Sequence, residues 1–175
     1  MEFMKQLAQS GVLAVLVAFI GLVFTYNNSR SLAKQGEANA IITAMEKILQ
    51  EVADENYKFW RDVTERNDEH EIKCRLFHAF IFYRCNLMEE KAQQLNKKCV
   101  SWLHDHIDHR GFEEQVTDII ATIRDKATYD SENPDLVKDK VARVMSINNQ
   151  TTKLFGVVHD FIQARYSPVA QPYVQ

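Results

Sequence analysis

The segment Arg66-Asn67-Asp68-Glu69-His70 places an arginine and a histidine at the start of an expected helix. Those two side chains suit phosphodiester cleavage through a ribose 2′-hydroxyl, with imidazole moving the proton and guanidinium holding the phosphate. A second group, His104, Asp105, His106, Asp108 and His109, falls within six positions, and on a helix His104 with Asp108, and Asp105 with His109, stand one turn apart. That spacing offers two or three ligands to zinc or another divalent ion, although His106 points elsewhere and no cysteine pair joins them. A solvated polar face accounts for the group more simply, so no metal and no cofactor is expected. Cys74 precedes His78 by four residues, which lets a thiolate meet an imidazole. Leu76, Phe77 and Phe80 beside them point to core packing instead. Five glycines in 175 residues leave little scope for a phosphate-cradling loop.

Arg66, Asn67 and His70 resemble the signature of the HEPN superfamily, helical bundles that often act as ribonucleases. In that motif an arginine, commonly followed by Asn, His or Asp, stands four to six residues before the histidine. Here three residues separate Arg66 from His70, and Glu65, Asp68, Glu69 and Glu71 would repel RNA. The net charge of −3, from 24 acidic and 21 basic residues, supplies no general attraction to nucleic acid, and no direct nucleic-acid binding is expected. The chain is therefore expected not to be an enzyme, with a membrane-tethered HEPN-type ribonuclease as an alternative.

The elements that would carry these groups begin with a membrane-like segment. No charged residue lies between Lys5 and Arg30, and Leu7 to Tyr26 is apolar over about twenty residues. As a helix it would rise roughly 30 Å, the hydrocarbon thickness of a bilayer. Ser31-Leu32-Ala33 has the small-x-small form of a signal cleavage site, but it stands about nine residues past the apolar run, beyond Arg30, so a retained span is the better reading. Lys5 can snorkel at one interface, while Phe19, Phe24 and Tyr26 approach the other. Arg30 and Lys34 against Lys5 and the amino terminus place the C-terminal part in the cytoplasm, giving a single-pass protein of the inner membrane. Three cysteines without the spacing of a disulfide framework agree with a reducing compartment.

Ala8, Gly11, Ala14, Ala18, Gly21 and Thr25 recur at steps of three and four along this segment. They form one small-residue face on which another helix could approach closely, a contact that implies a homo-oligomer.

The remaining chain, about 145 residues, suffices for one domain. Ile41, Met45, Ile48, Val52, Phe59 and Val63, with Ile42 and Leu49, predict an amphipathic helix over 32–65 that continues from the membrane segment, interrupted only by Asn27-Asn28-Ser29. A second helix is expected over 68–97, with its middle, Leu76 to Tyr83, apolar nearly all round and so deeply buried. Residues 99–108 should continue helically and break at Gly111. Val116, Ile119, Ile120 and Ile123 mark a further helix that ends before Tyr129. Asn133 should cap a last helix with Pro134 in its first turn, carrying Leu136, Val137, Val141, Val144, Met145, Leu154, Phe155, Val158, Phe161 and Ile162. The expected organisation is all-α: a transmembrane helix over 1–30, a HEPN-like helical bundle over 31–166, and a tail over 167–175 that Pro168 and Pro172 keep from being helical.

In this architecture the chain resembles the small membrane accessory proteins encoded beside the RNA-targeting type VI-B CRISPR nuclease. The resemblance implies a multimeric membrane pore that enhances antiviral defence by permeabilising or depolarising the inner membrane, with the RNA-guided nuclease as a functional partner and the lipid bilayer as its setting. In a ring of such spans, Gln6, Gln9 and Ser10 at one end and Asn27 and Asn28 at the other would line the mouths, and an apolar middle would gate by dewetting. A single-span scaffold or receptor that binds a cytosolic protein is the alternative from a different class.

Overall fold

A computed structural model describes residues 11–62, 68–99 and 109–166. Among them there are four α-helices and one 3-10 turn and no strand. The helices are α1 (Val12–Asp62), α2 (Asp68–Cys99), α3 (His109–Thr128) and α4 (Lys140–Tyr166), with the 3-10 turn at Pro134–Leu136 between the last two. The chain divides into two compact units, Met1–Glu37 and Ala38–Gln175.

The first unit holds the N-terminal part of α1. Gly11 precedes it at φ +71°, a conformation that glycine adopts without a Cβ penalty, and its carbonyl accepts from Val15 N at 3.1 Å. The helix contains no proline and passes through Asn27-Asn28-Ser29 without a break. Val15, Val17, Phe19, Ile20, Leu22 and Phe24 are all exposed. Thr25 Oγ1 donates to the Gly21 carbonyl at 2.8 Å, so this hydroxyl is satisfied within its own helix.

The second unit is an antiparallel bundle. Ala38, Ile42, Met45, Leu49, Val52, Asn56 and Phe59 recur on α1 at alternating steps of four and three, and all are buried. The direction of packing follows from paired contacts. Glu51 meets Arg84 and Phe59 stacks on Phe77 between α1 and α2. Asn96 meets Glu113 between α2 and α3, and Lys126 meets Ser146 while Phe112 stacks on Phe161 between α3 and α4. Trp60, under the Arg143 guanidinium at 4.8 Å, joins α1 to α4. Acidic Asp68, Glu69 and Glu71 in the first turn of α2, and Lys97 and Lys98 in its last, oppose the helix dipole at both ends. Arg165 Nε also donates to the Cys99 carbonyl at 2.9 Å, tying the end of α4 to an open carbonyl at the end of α2.

Four expectations change. The middle of α2 is one-sided: Phe77 and Ile81 are buried, but Leu76, Phe82 and Tyr83 are exposed, as is Ile72, because α1 and α3 cover only the Cys74-Phe77-Ile81-Cys85-Met88 side. Gly111 does not break a helix; it lies in the first turn of α3, where a missing Cβ costs little. Asn133 caps no α-helix. Pro134 starts the 3-10 turn, Val137 is extended, and α4 begins only after Asp139, whose Oδ1 accepts from Ala142 N at 2.8 Å. Consequently Leu136, Val141 and Met145 are exposed, and Ile147, absent from the expected core, is fully buried. The expected helix over 99–108 and the tail over 167–175 lie outside the described residues.

Candidate functional site

Only some of the expected chemistry-bearing residues lie among the described residues. Arg66 and Asn67 lie outside the described residues. His70 opens α2, is only 5% exposed, and its Nε2 sits 2.8 Å from the Ser131 carbonyl. A carbonyl can only accept, so that nitrogen must carry the proton. His104, Asp105 and Asp108 lie outside the described residues as well. His109 starts α3 with Nδ1 2.5 Å from Asn96 Oδ1, and Asn96 Nδ2 donates to the His109 carbonyl and to Glu113 Oε1. Among the described residues no group of three or more His, Cys, Asp or Glu side chains is placed to hold a metal ion.

A cluster that the sequence only half discloses surrounds Ser131. His70, Cys74 and His78 follow at i, i+4 and i+8 on α2, and Ser131 in the α3–α4 connection faces them, fully buried. Its Oγ lies 2.5 Å from His78 Nε2 and 3.3 Å from Cys74 Sγ, while Cys74 Sγ is 3.6 Å from His78 Nε2. The same hydroxyl donates its one proton to the Thr128 carbonyl at 2.7 Å. It must therefore accept from His78, the reverse of the polarity by which an imidazole activates a serine. Burial, with Glu132 nearby, raises the Cys74 thiol above its usual value despite the Ser131 contact, so the thiolate is disfavoured too. The group is a polar clasp between α2 and the loop. The His70/Cys74/His78 spacing was legible in the chain; the arrival of Ser131 from a distant loop was not.

Arg143 organises the neighbouring surface. It lies over Trp60 and Tyr129, 4.0 Å from Asp130 Oδ2, and donates to the Tyr129 carbonyl. Asp130 itself holds φ +56°, a left-handed conformation that aspartate tolerates better than most residues. A cavity of about 440 Å³ opens beside it, with Asp125, Lys126, Thr128, Tyr129 and Ser146 on its walls. The acidic and basic groups there largely offset one another.

The strongest feature is α1. It carries an 18-residue stretch of mean hydropathy 1.8, none of it buried within the protein, and by length and composition the helix suffices to cross a membrane. On this stretch Ala14, Ala18, Gly21 and Thr25 are exposed, as are Asn27 and Asn28 beyond it. A Cβ built on Gly21 meets no atom within 4 Å. Ala8, Gln6, Gln9 and Ser10 lie outside the described residues. No family model matches the chain, and no match was found among curated proteins or solved structures.

Proposed function

We propose that the chain is a single-span membrane protein whose copies associate through the small-residue face of α1 to form a pore. The observation that carries this reading is the uncovered apolar part of α1, with Phe19, Ile20, Leu22 and Phe24 each at least 64% exposed. A continuous apolar surface of that kind is incompatible with water and needs lipid or another copy against it. One span encloses no channel by itself, so conduction requires several copies. Asn27 and Asn28 would stand at one mouth, and the apolar lining between the mouths would gate by dewetting. The bundle would lie in the cytoplasm, and the physiological output would be depolarisation of the inner membrane, in line with the antiviral role implied by the type VI-B resemblance.

Gly21→Leu tests the packing face cleanly. The added side chain has open space in the single chain, so the helix should form as before, whereas a neighbouring backbone could no longer approach. Gly11 is less suitable, since its φ of +71° would strain any larger residue. The variant should insert normally, lose crosslinked multimers, and lose ion leakage from reconstituted liposomes. Retention of both would remove the reading.

A second reading, a membrane-tethered scaffold, is favoured by one observation: Ile72, Leu76 and Tyr83 form an exposed apolar stripe on α2. It predicts monomers or dimers without conductance. The ribonuclease alternative draws less support, because His70 is buried with Nε2 committed to a backbone carbonyl.

A further inference from the structure

The end of α1 and the start of α4 enclose a groove of about 280 Å³ walled by Tyr57, Trp60, Val141, Val144 and Met145. Each helix contributes residues three and four apart, so each offers one narrow face. Trp60 is 1% exposed, whereas Tyr57, Val141 and Met145 stand open at 52%, 70% and 60%. The indole N–H of Trp60 has no acceptor within the protein, which leaves a buried donor without return for its lost hydration. The cations on the walls are already engaged. Arg61 Nε lies 2.7 Å from Asp62 Oδ1 with its guanidinium over the Tyr57 ring, and Lys140 has a partner inside the protein. The groove therefore suits an uncharged, apolar occupant that brings hydrogen-bond acceptors.

The chain carries a segment of that chemistry. Ser167-Pro168-Val169-Ala170-Gln171-Pro172-Tyr173-Val174-Gln175 follows α4, outside the described residues, and has no charged side chain. Prolines at 168 and 172 favour the polyproline II conformation, which docks its rings and neighbouring apolar side chains on aromatic-lined grooves. Its carbonyls make no bonds with one another and are free to accept from Trp60. The groove is smaller than the ~300–1,000 Å³ of most small-molecule sites, which also favours a few residues of extended chain.

Reach decides which copy supplies the segment. Tyr173 stands seven residues beyond Tyr166, at most ~25 Å away at full extension. Met145 stands 21 residues before Tyr166 on α4, ~32 Å along the helix axis. Tyr173 therefore falls short of the groove on its own chain.

We propose that Pro172-Tyr173 of one copy docks in the groove between Trp60 and Met145 of the next. Groove and segment are different surfaces of the same chain, so the contact is head-to-tail and closes into a ring when the rotation between copies permits. The proposal rests on the association of copies in the reading above, and not on conduction.

The test is disulfide crosslinking of the full chain in detergent, with Val141→Cys and Tyr173→Cys in the same molecule. Cys74, Cys85 and Cys99 are buried and should not compete. Mild oxidation should give a ladder of covalent multimers beyond the dimer, whereas either substitution alone should give dimers at most. Adding Met145→Glu, at an exposed position, should cut the ladder by ~10-fold or more by placing an unpaired charge in the contact, with the melting temperature unchanged. A disulfide confined to single chains, no disulfide, or a ladder indifferent to Met145→Glu would overturn the proposal. So would a rapid intrachain bond between Val63→Cys and Val141→Cys, which would put the chain's own connection after α1 in the groove. A ladder from protein that never leaks ions would uphold the docking and sink the pore reading; leakage without a ladder would sink the docking alone.

Discussion

Ser131 shows how much one buried hydroxyl decides. By giving its proton to Thr128 O, it fixes His78 as a donor, while burial raises the Cys74 thiol against the Ser131 contact, so neither the hydroxyl nor the thiol is activated as a nucleophile in this arrangement. The other cysteines are more deeply protected. Burial pushes the Cys85 thiol up to about 12 and the Cys99 thiol up to about 11, from an ordinary value of 9.0. All three should resist alkylation at pH 8 until the protein is unfolded. The sign of the pH dependence follows directly. A thiol whose folded pKa is raised binds its proton more tightly in the folded state, so stability is unaffected below pH 9 and falls as pH rises from about 9 toward 12. For Cys85 the limiting slope is ~1.4 kcal/mol per pH unit, and Cys85→Ala should remove that share of the slope in denaturant titrations between pH 8 and 10.5. A wild-type slope unchanged by the substitution would show the thiol to be solvated.

Among the elements, the α3–α4 connection is held by side chains more than by regular structure. Ser131→Ala deletes the acceptor for His78 and for Cys74 and should destabilise the bundle by ~1–3 kcal/mol. For a chain of this size that is about 2–4 °C in melting temperature per kcal/mol, readable by circular dichroism. What was legible in the chain follows the same division. The three- and four-residue spacing of Ile41, Met45, Ile48 and Val52, with Ile42 and Leu49 beside them, marked α1, and Val116, Ile119, Ile120 and Ile123 marked α3, because each helix buries one face and the spacing records it; Ile41 lies at the edge of that face, only partly buried. Leu76 to Tyr83 misled, since an apolar surface all round says nothing of how many neighbours are present to cover it. The start of α4 was misplaced because Asn133-Pro134 and Asp139 are both plausible helix openings, and only the extended Val137 between them separates the two. Ser131 was invisible for a plainer reason: its partners on α2 lie more than fifty residues away.

For the whole molecule, the central claim is that a chain with one apolar span acts as an assembly. Its two compact units differ in kind: Met1–Glu37 carries the exposed apolar part of α1, and Ala38–Gln175 holds a core that includes Trp60, Ile81, Leu95, Ile120 and Leu154. The chain's net charge of −3 supplies no strong attraction to anionic lipid or RNA, so on the proposed reading association rests on packing between copies. The most direct measurement is the mass of the detergent-extracted protein with the detergent contribution removed. A closed assembly of several 20.3 kDa chains, at a single defined multiple, is the predicted result. A monomer of 20.3 kDa at concentrations where the wild type leaks ions, or under every extraction condition tried, would contradict the account.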